Sequence, residues 1–243
     1  MGFGIKLKVW GDYASFNRPE MKVERVSYEV MTPSAARGVL EAIYWKPEMR
    51  WVIDRIHVLR PIRFTYVRRN EIASKIPVKG PSGAAQAMKS GRGTLGLQVD
   101  QDRQQRAAMV LADVCYGIEA HVDVVGGHPG DGSNGKSPEG KHLAMFSRRA
   151  EKGQYFHHPY LGCREFPGDF ELVQEFEPCP AELRNLRRLG MMLHDIVYTP
   201  DAAGTVVESH SGTRLSAEPR FFEAELRNGI LEIPRLEASG GGS

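Results

Sequence analysis

A chain of 243 residues, 41% of them hydrophobic and 26% charged, is long enough to bury a sizeable core and too apolar to stay disordered. A formal net charge of +2 does not by itself announce a polyanionic partner, so any nucleic-acid contact must come from local basic patches. The three cysteines, Cys115, Cys163 and Cys179, form no CxxC pair, which argues against a disulfide framework and a structural zinc site and suits a reducing cytoplasm; no run of about 18 apolar residues is present to cross a membrane.

Residues 1–10 alternate lysine with apolar residues and lack a signal-peptide core. Residues 4–10 predict a strand with Ile5, Leu7 and Val9 on one face and Lys6, Lys8 and Trp10 on the other. A helix follows. Thr32 suits its N-cap and Pro33 its first position, while Ala36, Val39, Leu40 and Ile43 make the apolar stripe. Tyr44 falls at its C-terminal end and Pro47 prevents continuation. Residues 51–69 read as one or two strands bent at Pro61. Residues 70–107 are polar and glycine-rich without a period, and their lysines and arginines (Lys75, Lys79, Lys89, Arg92, Arg103, Arg106) suggest a basic, mobile hairpin.

Residues 110–124 alternate cleanly, with Val110, Ala112, Val114, Tyr116, Ile118, Ala120 and Val122 on the dry side. A glycine-rich loop, 126–135, leads to a second helix with Ser137 as cap, Pro138 at its first position, Leu143, Phe146 and Ala150 in its stripe, and Gly153 as stop. Residues 170–176 read as another strand. Beyond 178 come short apolar runs at 191–198, 205–208, 221–226 and 230–233, punctuated by turns such as Asn228-Gly229.

The order strand, helix, strands, strand, helix, strand is that of an α+β, ferredoxin-like (RRM-like) unit. The expected organisation is a ferredoxin-like domain over 1–177 with the basic hairpin inserted at about 70–107. A small antiparallel β domain over 178–238 and a flexible tail at 239–243 complete it.

Three clusters carry candidate chemistry. Tyr44-Trp45-Lys46 sits at a helix end, where the two rings serve equally well as core or rim aromatics. Gly140-Lys141-His142 opens the second helix. A helix N-terminus favours a phosphate, Lys141 adds a point charge and His142 titrates near neutrality, a set suited to phosphodiester chemistry; a solvated lysine beside a packed histidine has the same spacing. Residues 135–141 also fit GxxxxGK, but His142 stands where a phosphate loop needs Ser or Thr, and Pro138 removes an N–H. The third cluster, Arg148, Arg149, Lys152, Tyr155, Phe156, His157, His158 and Tyr160, interleaves cations with rings, as single-stranded RNA requires; a solvated helix face followed by core aromatics fits it equally. Adjacent His157 and His158 diverge in a strand and have no partner motif, so no metal site is expected.

Several longer segments are more specific: VWGDYASF at 9–16, TPSAARGVLEAIYWKP at 32–47, VID at 52–54, GKH at 140–142 and YLGCREF at 160–166. On these the chain resembles the Cas-five family of CRISPR-associated proteins in its type I-C form, closely over residues 1 to about 176 and loosely thereafter. The resemblance implies a ferredoxin-like domain with a small C-terminal β domain, and an endoribonuclease that cuts precursor crRNA at the base of the repeat hairpin. It implies a catalytic set of tyrosine, lysine and histidine, which falls on Tyr44, Lys141 and His142. Attack by the ribose 2′-OH, without metal or other cofactor, would leave a 2′,3′-cyclic phosphate and a 5′-OH. The partners implied are the repeat hairpin, the other subunits of the type I-C Cascade complex and, through it, target DNA, in the cytoplasm and away from membranes. The RNA-binding candidates are Lys6, Lys8, Arg63, Arg68, Arg69, Arg148, Arg149, Tyr155, His157 and His158. A subunit that holds the 5′ handle without cutting is the alternative. A metal-dependent DNA nuclease ranks third, because no carboxylate cluster for two metals is visible.

Overall fold

The computed structural model describes residues 4–21, 23–74, 78, 83–92, 100, 102–125, 137–207 and 212–235. The 126–135 loop, Lys75, Lys79 and the 239–243 tail lie outside them. In chain order the elements are β1 (Ile5–Ala14), β2 (Arg25–Val26), α1 (Pro33–Ile43), β3 (Met49–Val58), β4 (Phe64–Ile72), α2 (Ala84–Ser90) and β5 (Arg103–Val124). They continue with α3 (Pro138–Glu151), β6 (Asp169–Leu172), β7 (Arg187–Pro200), β8 (Val206–Val207), β9 (Arg214–Arg227) and β10 (Ile230–Glu232). The fold is a mostly antiparallel sheet with few helices; its main path runs β6-β1-β5-β3-β10-β9-β7, and among the paired strands only β2–β5 is parallel.

Alternation in β1, β3 and β5 makes one face dry. Leu7 stands opposite Ile118, Val9 opposite Tyr116, Ile56 opposite Ile118 and Trp51 opposite Val122, and all of these are buried. The stripes of α1 and α3 close over this face: Ala36, Val39, Leu40 and Ile43 from one helix and Leu143, Phe146 and Ala150 from the other join the same core. The N-termini form as their residues dictate. Ala35 N–H donates to Thr32 Oγ1 at 3.3 Å and Gly140 N–H to Ser137 Oγ at 3.2 Å, with proline at the first turn of each helix.

The opposite face is polar. Arg55, His57 and Glu119 pair across β3 and β5, and His121 pairs with Asp54 at 2.8 Å. Gly117 on this face leaves room for the Phe176 ring, which a Cβ would meet at 2.6 Å. Here the expected strand over 170–176 ends early: the ladder stops at Leu172, and the chain turns so that Phe176 packs 4.6 Å from the His57 ring.

Two other boundaries move. The strand expected over 110–124 begins at Arg103, because β4 supplies a continuous ladder from Phe64↔Leu111 to Ile72↔Arg103 whatever the side chains. Residues 70–72 and 103–107 are therefore strand, not periodless loop, and α2 lies between the arms. The clean alternation also breaks at Asp113, whose φ of 53° shifts the phase. Val110 and Ala108 face a small cluster with Phe166, whereas Leu111 and Val114 onward face the main core.

Beyond 178, β10 bonds to β3 on one side and β9 on the other, so the C-terminal strands continue the central sheet. Asn228 and Gly229, with φ of 51° and 71°, make the two-residue turn that joins β9 to β10. The 191–198 run is the middle of β7 and the 221–226 run lies in the C-terminal half of β9, strands of fourteen residues each.

Candidate active site

Tyr44 is the C-cap of α1. Its N–H donates to Leu40 O at 2.9 Å and its backbone is extended, which turns the ring out of the helical register. Its carbonyl accepts from the indole N–H of Trp51 at 2.9 Å. Trp51 in turn meets Phe146 of α3 edge-on at 4.8 Å. The first helix's end and the second helix are thus tied through one buried indole, a positioning role that the sequence signalled only by a large apolar residue in a strand.

Across that tie, Tyr44 Oη lies 3.0 Å from His142 Nδ1. Both residues are buried, at 6% and 4% exposure. The contact accommodates either imidazole tautomer. With the phenol donating, the ring proton sits on Nε2; with Nδ1–H donating to the phenol oxygen, Nε2 is left as a proton acceptor. Burial raises the phenol's pKa above its ordinary value; Glu48 pushes in the same direction and Arg149 in the opposite one. Tyr44 is therefore a neutral phenol throughout the physiological range.

Lys141 is exposed in the first turn of α3, beside His142. Of the first-turn N–H groups, Pro138 has none, Gly140 N–H donates to Ser137 Oγ at 3.2 Å and Lys141 N–H to Ser137 O at 3.1 Å. Gly135 of the phosphate-loop near-match lies outside the described residues.

The RNA-binding candidates divide into three places. Arg148, Arg149, Tyr155, His157 and His158 lie at the end of α3 and in the loop after it, which is pinned to α1 by Phe156 N–H donating to Ala42 O at 2.7 Å. His157 stacks on Tyr160 with ring centres 6.0 Å apart, and His158 meets Tyr155 edge-on at 5.0 Å, so the two imidazoles engage different partners. Arg63 and Arg68 are exposed along β4 and the turn before it. Arg69 points to the other side of β4, ion-paired with Glu165 and lying over the Phe166 ring at 5.4 Å, a structural tether. Lys6 and Lys8 lie on the polar sheet face, away from the helices; Lys8 is bound to Glu177 at 2.6 Å, a contact that holds its pKa above the usual value. These two are not brought to Tyr44 and His142. No group of His, Cys, Asp or Glu able to hold a metal occurs among the described residues.

The sequence comparisons agree in direction. A family model described as "CRISPR-associated protein (Cas_Cas5)" matches residues 4–234. A protein of Mannheimia succiniciproducens named "CRISPR pre-crRNA endoribonuclease Cas5d" is 49% identical over 238 residues, covering 96% of both chains. A protein of Thermus thermophilus with the same name is 42% identical over 238 residues, covering 95% of this chain and 91% of its own. Among solved structures, one titled "Crystal Structure of CRISPR-associated Protein" covers 98% of this chain and 93% of its own with a TM-score of 0.59 at 20% identity, a likeness of fold. With a sheet, a helix pair and a tyrosine–histidine contact arranged in this way, and a family match over nearly its whole length, the chain belongs to the Cas5 family of CRISPR-associated proteins.

Proposed function

We propose that this protein is an endoribonuclease that cuts precursor crRNA at the base of the repeat hairpin and then holds the 5′ handle as a subunit of a type I-C Cascade complex in the cytoplasm. The names of two near-full-length relatives support the activity. The observation that carries it to particular residues is the 3.0 Å contact between Tyr44 Oη and His142 Nδ1, with Lys141 next to it at the start of α3. In this reading His142 Nε2 takes the proton of the attacking 2′-OH while Nδ1–H donates to Tyr44, Lys141 stabilises the phosphorane charge, and Tyr44 holds the imidazole and relays a proton. The 2′-oxygen bonds to phosphorus as the P–O5′ bond breaks; the Nδ1 proton passes to the Tyr44 oxygen while the Tyr44 hydroxyl proton goes to the leaving O5′, so the products are a 2′,3′-cyclic phosphate and a 5′-OH. No metal is needed for any step.

The frame is read as a ferredoxin-like, RRM-like unit: β1-α1-β3-β5-α3-β6 in the chain, with sheet order β6-β1-β5-β3, supports it. It spans 1–177, with a basic hairpin inserted at about 70–107, and 178–238 form a small β-rich C-terminal domain. The other Cascade subunits and, through them, target DNA are its further partners. No helix among the described residues is long and apolar enough to cross a membrane.

The test is a gel of purified protein with cognate repeat RNA. Wild type should cut in EDTA and fail on a substrate with 2′-deoxy at the cleaved nucleotide; His142→Ala should bind without cutting. The near-complete burial of both Tyr44 and His142 favours a second reading, in which their bond only packs α1 against α3 and the chain holds the handle without cutting. Wild type that binds repeat RNA and leaves it intact would decide for that reading.

A further inference from the structure

Phe156 has the most exposed ring among the large apolar side chains of the described residues, at 84%. Exposure of a phenyl ring is unfavourable in water, and neighbouring rings relieve little of it here: His157 meets it only edge-on at 6.2 Å. Yet the residue is not loosely placed. Its N–H is fixed to Ala42 O at 2.7 Å, in the last turn of α1 and two residues ahead of Tyr44. From the other side, Gly153 at φ 62° ends α3, with Lys152 and Gln154 N–H both donating to Arg149 O at 3.1 and 2.9 Å. Arg149 lies two helical turns beyond His142, on the same side of α3, and its charge is felt by the Tyr44 phenol. A bare ring, a guanidinium and the phenol–imidazole pair are therefore held together by short, hydrogen-bonded stretches of backbone.

We propose that Phe156 is a positioning residue for the cleavage reaction: its ring stacks on a base of the nucleotide next to the scissile phosphate, while Arg149 holds the neighbouring backbone phosphate. The proposal rests on the endoribonuclease reading above. A ring fixed by its own backbone loses little freedom on stacking, and every base presents a π-face, so the grip aligns the strand without selecting its sequence.

The test uses a cognate repeat hairpin with single-stranded flanks and 2-aminopurine at the nucleotides on either side of the cut; binding and quench are read with 2′-deoxy at the cleaved nucleotide, and cleavage with ribose there. Phe156→Ala should weaken binding about tenfold, the order expected for one base stacked on one ring. It should abolish the 2-aminopurine quench seen with wild type and leave Tm unchanged. Phe156→Trp should restore affinity and quench, whereas Phe156→Leu should restore neither. Equal binding, quench and cleavage by Phe156→Ala and wild type would overturn the proposal and leave the endoribonuclease reading intact; the ring would then belong to a protein contact. Full rescue by leucine would overturn stacking in favour of simple apolar packing. A Phe156→Ala chain that fails to fold would show that the ring supports the core instead. Wild type that neither binds nor cuts the hairpin would bring down the proposal and the reading together.

Discussion

Tyr44 and His142 are 98 residues apart in the chain and share a hydrogen bond in a site from which water is nearly excluded. Removing one partner leaves the other unsatisfied. Tyr44→Phe keeps the ring and strips the hydroxyl, so it should cost about 1–3 kcal/mol of stability. If the phenol aligns the catalytic imidazole, cleavage should fall by about 10²-fold while RNA affinity stays, a split that single-turnover rates and a binding titration would separate. His142→Ala should lower the rate by about 10²–10⁴-fold with binding retained. Equal loss of binding and rate in both variants would point to a packing bond. Because burial raises the phenol's pKa, ionisation of Tyr44 should not limit activity below about pH 10.

Among the elements, α1 and α3 act as one unit because Trp51 of β3 touches both. Trp51→Phe deletes the indole N–H bond to the Tyr44 carbonyl and leaves a cavity beside Phe146, so it should lower stability by about 1–3 kcal/mol. The folded variant should also cut more slowly; a rate unchanged from wild type would show that Tyr44 needs no such anchor. Ser137→Ala removes the side-chain cap of α3 and should cost about 1 kcal/mol by denaturant titration. Elements also explain where the strand boundaries moved. β5 continues back to Arg103 through residues with no apolar pattern, because a backbone ladder with β4 needs only a partner of matching register.

The molecule as a whole carries several buried phenols. Tyr28, Tyr44 and Tyr116 are all raised by burial, Tyr116 the most. A raised acid remains protonated in the folded state at a pH where the unfolded chain already ionises, so stability is complete below about pH 10 and falls as pH rises beyond it. His57 is shifted the other way: burial lowers its pKa against the pull of Glu119, so its contribution is present above about pH 6.5 and is lost as pH falls below that value. Thermal melts across both limits should show Tm declining at each end, and His57→Gln should flatten the acid limb. An unchanged acid limb in that variant would assign it to other groups. The local rules that the sequence carries, period, caps and turn residues, determined α1 from Thr32, α3 from Ser137, the dry face of β1 and the Asn228-Gly229 turn, because each depends on neighbours within a few positions. The long family-like segments added Tyr44, Lys141 and His142, which spacing alone reads sooner as a core aromatic, a solvated lysine and a packed histidine. Only the tertiary structure decided that the phenol meets the imidazole, that Arg69 is tied to Glu165, and that β10 joins the C-terminal strands to β3. Those are contacts between residues tens to more than a hundred positions apart. They are set by which faces pack together, and no local pattern encodes that choice.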